Sequence, residues 1–174
     1  MSSRFLAALA ALALTALAGC ATTDRLDAAR DARALMVAVR DDDRAGFEAH
    51  IDRHALEARM QATLVERTHR ARLAPTWAAA GLVASGALSR WAGDVLIRPS
   101  VFRAVADYYG YRPEAPLPNV LALATVLRPL PGGRICAARA RGGACLLTFV
   151  RENGTWKLAD FAADALQTGR DPHD

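Results

Sequence analysis

The run Glu152-Asn153-Gly154-Thr155 constrains the fold of this 174-residue chain more than any other stretch. Asn-Gly tolerates the positive φ that both central positions of a type I′ turn require, and such turns join antiparallel strands through two residues. The flanks, Cys145 to Arg151 and Thr155 to Phe161, are rich in β-branched and aromatic residues. The turn therefore predicts a hairpin with Arg151 opposite Trp156 and Phe149 opposite Leu158. Leu147, Phe149, Trp156 and Leu158 then project from one face, and a one-residue slip would turn all four to water.

Two further strands are expected upstream. Val120 to Leu127 is a continuous apolar run of strand length, Pro129 to Gly133 turns it, and Ile135 to Arg139 leads back. Before residue 110 the pattern is helical. Thr22, Thr23 or Asp24 can cap a helix whose Ala28, Ala32, Leu35, Met36 and Val39 recur at helical spacing. Arg40-Asp41-Asp42-Asp43 breaks it and caps a short helix carrying Phe47. Asp52 caps a third, running to Arg72, with Leu56, Met60 and Leu64 four residues apart. From Trp77 an Ala/Gly-rich stretch sets Ala84, Leu88, Trp91 and Val95 on one face. Pro99 ends that stretch and opens a helix over Ser100 to Tyr109, closed by Gly110.

Helices followed by an antiparallel meander predict an α+β fold, with the N-terminal helices packed on the C-terminal sheet. The expected organisation is a signal over 1–19, a short tether over 20–24 and a single domain over 25–166. Within the domain, the helical part covers 25–110, a proline-rich linker 111–118 and the sheet 119–162; residues 167–174 form a polar tail.

The signal rests on Leu17-Ala18-Gly19-Cys20, which closes the apolar run Phe5 to Ala16 behind a positive Met1-Ser2-Ser3-Arg4. Small residues ending in cysteine in this position resemble the lipobox of bacterial lipoproteins, whose peptidase cuts before the cysteine that carries the acyl chains. The stretch 5–18, about 14 residues, is too short for a transmembrane helix, which needs about 20. An ordinary signal peptide cut after Ala18, leaving Cys20 a free thiol, is the competing reading. Lipidation of Cys20 implies a membrane partner through acyl chains, held firmly once two or three are attached. Ala21, rather than Asp, after the cysteine resembles the outer-membrane default, facing the periplasm.

The charge balance, 22 Lys+Arg against 18 Asp+Glu for a net +4, argues against a nucleic-acid partner, because the basic residues are interspersed with acids along the first helix. Cys136 and Cys145 remain after Cys20, and an oxidising compartment invites a disulfide between them. They face each other across a hairpin if the loop is Arg139 to Gly142; a two-residue Gly142-Gly143 turn instead pairs Cys145 with Ala140 and separates the sulfurs. Spacing alone leaves both open.

Residues Ala34 to Arg59, with Ala38, Asp41, Asp43, Ile51, Asp52 and Leu56 at matching positions, resemble the opening of a bacterial envelope family classed as a domain of unknown function. Val95-Leu96-Ile97-Arg98-Pro99 and the F-x-r-x-G-x-W-x-L pattern at Phe149 to Leu158 are similar to later blocks of it. The resemblance spans about residues 30–162 and carries no catalytic residues. The final hairpin is also similar to cone-shaped cystatin-like or nuclear-transport-factor-like domains, in which helices pack on a curved sheet.

Candidate chemistry is sparse. His50 and His54 stand four apart, but Asp52 between them reads as a helix start, so surface histidines are expected rather than a metal pair. Asp41, Asp43, Gly46 and Asp52 imitate an EF-hand loop, yet the fifth position is Ala45 and the twelfth lacks the bidentate glutamate. Ser85 lacks the flanking glycines of a nucleophile elbow. Tyr108, Tyr109 and Tyr111 cluster at a helix end beside the linker and form the candidate ligand pocket, with half-buried packing as the plainer role. Neither cofactor nor metal is implied. The expectation is a lipid-anchored, non-catalytic binding or scaffolding element of the cell envelope with an envelope protein as partner. A carrier for a small apolar ligand and an envelope hydrolase are the rival readings.

Overall fold

The computed structural model describes residues 22–70, 93–108, 112, 114–138 and 140–162. The side chains of Leu64, of residues 67–70 and of Tyr108 lie outside that description, as does most of the stretch from Trp77 to Val95.

Residues 22–40 form the helix α1. Ala28, Ala29, Ala32, Leu35 and Ala38 line its buried stripe at the i, i+4, i+7 spacing of one helix face. Four of those five are alanines, which lets the helix backbone approach the sheet closely. Thr22 to Asp24, expected in the tether over 20–24, are helical.

The acidic break acts as expected. Asp42 takes a positive φ of 55°, and Asp43 caps α2 (Arg44–Ala49) by accepting the Gly46 N–H at 3.1 Å. Phe47 on α2 is fully buried and meets the Phe102 ring edge-on, centroids 5.0 Å apart. Asp52 accepts the Ala55 N–H at 3.0 Å and opens α3 (Arg53–Arg70), which buries Leu56. Helix α4 covers Pro99–Tyr108, beginning at the proline whose missing N–H costs nothing in a first turn.

The first expected strand is a helix. Val120–Val126 form α5, capped by Asn119, whose side chain accepts the Ala122 N–H at 2.8 Å. Leucine and alanine are strong helix formers, and an apolar run without alternation suits either state, so the cap decides. Strand β1 is Leu127–Leu130 and takes in Pro129, expected in the turn. The proline is tolerated because β1 is an edge strand.

Strands β2 (Arg134–Ala138), β3 (Cys145–Glu152) and β4 (Thr155–Phe161) complete a four-stranded antiparallel sheet of order β1-β2-β3-β4. Helices followed by this meander make the fold α+β. At the last turn Asn153 and Gly154 have φ of 49° and 85°, and Arg151 pairs with Trp156 and Phe149 with Leu158, as the Asn-Gly turn predicts. Phe149, Trp156 and Leu158 are buried, while Leu147 packs at the margin of the core. A register shift between Thr148 and Phe149 leaves Leu147 opposite Phe161.

One pairing has no counterpart in the sequence reading. The link between α2 and α3 lies along the free edge of β4, where Ile51 bridges Leu158 in parallel. The Asp52 N–H donates to Leu158 O at 2.8 Å and the Leu158 N–H to His50 O at 2.9 Å. Ile51 and Leu158 are both almost wholly buried. Asp43 and Asp52 thus cap helices, and Ile51 extends the sheet.

Candidate functional site

Polar contacts converge where α1 crosses the start of β4. The Asp31 Oδ2 accepts the Trp156 backbone N–H at 2.7 Å. Its other oxygen lies 4.0 Å from His50 Nε2. The His50 ring donates from Nδ1 to Gly46 O at 2.8 Å, since a carbonyl only accepts. The histidine is therefore half-buried and engaged, not on the surface as its sequence position suggested, while His54 is exposed. One to two helical turns nearer the N-terminus, Arg151 Nη1 pairs with Asp24 at 2.9 Å and Nη2 lies 4.0 Å from Asp27. The same guanidinium stands 5.9 Å from the centre of the Trp156 ring, a cation–π arrangement. Trp156 Nε1 is buried with no hydrogen-bond partner.

A second cluster is centred on Arg53 at the start of α3. Its guanidinium pairs with Glu48, lies 3.8 Å from Glu57 and 3.9 Å from Asp94, and donates to Gly93 O at 3.3 Å and Ile97 O at 3.0 Å. The hydrogen bond to Glu48, then the charges of Glu48, Glu57 and Asp94, hold its pKa above the ordinary arginine value despite partial burial. The helical turn at 93–96, with Ile97 after it, is thereby tied to α2 and α3. A Cβ at 93 would sit 2.7 Å from Glu57 Oε1, so a larger residue there would displace the Glu57 side chain. At the exposed end of α1 the Arg40 side-chain hydrogen bond lowers the Asp41 pKa.

Both clusters hold elements together, and apart from Trp156 Nε1 the groups named in them meet partners within the protein. Among the described residues, no group of three or more His, Cys, Asp or Glu is arranged to hold a metal. Asp43 and Asp52 are occupied as caps, and Asp160 pairs with Arg59 at 3.0 Å.

Of the residues singled out in the sequence, Cys20, Tyr109, Tyr111 and Ser85 lie outside the described residues. Tyr108 ends α4, and its side chain lies outside them too. Cys136 and Cys145 are joined in a disulfide with Cα atoms 5.6 Å apart. Neither loop considered in the sequence describes their register. Cys145 stands opposite Ala138, and a shift between Ala137 and Ala138 sets Cys136 opposite Thr148, so the bridge runs diagonally between strands. By strand alternation it lies on the face away from Ile135 and Phe149. Sequence reasoning missed the Asp31–Trp156 contact and those of Arg53 with Gly93, Asp94 and Ile97, which join residues too distant in the chain for any local signal. Comparison with known proteins finds no matching family model, no matching curated protein and no matching solved structure.

Proposed function

We propose that this chain is a lipid-anchored envelope lipoprotein, held in the outer membrane through acyl chains on Cys20 and facing the periplasm, whose α+β domain works by binding or scaffolding rather than catalysis. The observation that carries the reading is Leu17-Ala18-Gly19-Cys20 at the end of a short apolar run, set two residues before a helix already formed at Thr22. A lipobox directly before a folded domain suits a protein kept at the membrane. The Cys136–Cys145 disulfide supports an oxidising compartment. The non-catalytic reading is supported by the polar clusters, in which His50, Asp31 and Arg53 link elements of the fold.

The test is metabolic labelling with palmitate in a Gram-negative host, followed by membrane fractionation. The wild-type chain takes up label and partitions with outer membranes. Cys20→Ala loses the label and leaves the membrane fraction. A Cys20→Ala variant that is still labelled overturns the proposal.

A further inference from the structure

We infer that one end of the sheet, the end carrying the β1–β2 and β3–β4 turns, rests on phospholipid headgroups; the inference builds on the lipid anchor proposed above. In an antiparallel meander alternate turns share an end. The pairs Leu130 with Arg134 and Glu152 with Thr155 close two hairpins, and Arg134 pairs with Val150, which brings both turns side by side. The β2–β3 loop, with the disulfide at its base, lies at the opposite end.

The start of α1 fixes which end faces the bilayer. Thr22 follows Cys20 by two positions, a reach of roughly 7 Å even when fully extended. Asp24, in the first described turn of α1, is held by Arg151 at 2.9 Å. Arg151 is two residues from the Asn153-Gly154 turn. An acyl anchor on Cys20 therefore draws the β3–β4 turn, and with it the neighbouring β1–β2 turn, down to the membrane surface.

The chemistry of that end suits headgroups rather than the acyl interior. Pro131, Gly132, Gly133, Arg134, Glu152, Asn153 and Gly154 are all exposed, and none offers a large apolar side chain. Arg134 rests its Nε on Pro131 O at 3.2 Å, which places a guanidinium beside the turn. Glu152 is neutralised locally by Lys157 at 2.8 Å, as Asp24 is by Arg151. Arg134 is left as the charge directed to lipid phosphate, for which a guanidinium is a good partner.

The experiment uses the acylated full chain in phosphatidylethanolamine/phosphatidylglycerol vesicles. A nitroxide is attached through p-acetylphenylalanine replacing Glu152, and in a second sample replacing Arg141 at the opposite end. Collision with a water-soluble nickel chelate is then measured for each. The expected result is at least a twofold lower chelate access at 152 than at 141, with Arg134→Glu raising access at 152. Equal or reversed access overturns the orientation, and no response to Arg134→Glu overturns the headgroup contact. Shielding at 152 that grows with protein density at constant lipid assigns this end to a second copy and also overturns it. Protein that fails to float with the vesicles marks failure of the anchor itself, distinct from these outcomes.

Discussion

The Asp31 carboxylate accepts the Trp156 backbone N–H at 2.7 Å, joining the first helix to the last strand across 125 positions of the chain. The contact is part-buried, so its loss leaves a donor short of water as well as of a partner. Asp31→Ala should cost about 1–3 kcal/mol, whereas Asp31→Asn keeps an acceptor oxygen and should cost less than half of that. Urea unfolding of both variants checks the difference; equal losses would show that charge, not the hydrogen bond, is what matters.

Leu158 sits at 1% exposure between the Phe149 pairing on one side and the Ile51 bridge on the other. Leu158→Ala should destabilise by about 2–5 kcal/mol through lost burial and the cavity left behind. A loss below about 1 kcal/mol in the same assay would contradict the register of the final hairpin.

Arg53 joins three elements, and its removal strands Glu48, Glu57 and Asp94 together and takes a donor from Ile97 O, while Gly93 O keeps the Ile97 N–H. Arg53→Met should destabilise by about 1–3 kcal/mol. The sign of its pH dependence follows from the raised pKa. Stabilisation from a raised group is complete below its unfolded value and is lost only as pH climbs through the folded one, here beyond the arginine range. The wild-type minus Arg53→Met difference should therefore stay flat from about pH 7 to 10. A decline within that window would show that Arg53 is not the group responsible.

Replacing Cys136 and Cys145 together with alanine reopens a loop with a sequence separation of 9. The chain-entropy estimate for so short a loop is about 2–3 kcal/mol. Chemical denaturation with and without reductant gives the check: the wild type should weaken on reduction to near the double variant, which should not respond. Two alkylatable thiols in the oxidised wild type would remove the bridge.

Much of the fold was legible because its signals are local. Asn153-Gly154 sets a hairpin register through backbone conformation alone, and Asp43 and Asp52 can cap helices only at helix starts. At Val120–Val126 periodicity is nearly silent, because Thr125 is the single polar side chain of the run and marks no face on its own. Asn119 following Pro118 was the overlooked cue, since a side-chain acceptor there closes the first turn of a helix. His50, the Ile51 bridge and the Arg53 cluster stayed hidden for a different reason. Each depends on segments brought together by tertiary packing, with partners at Asp31, Leu158 and Ile97.

The bridge between Ile51 and Leu158 also dictates an order of assembly. The α2–α3 link finds its sheet partner only in the final strand, and α1 finds Trp156 there as well. Until residue 158 has emerged, the helical half lacks the surface on which Ala28, Ala32, Leu35 and Leu56 are buried. Contacts of such long separation form late. Until β4 is in place these helical faces have no sheet edge to cover, which makes loss of β4 a loss of the whole domain.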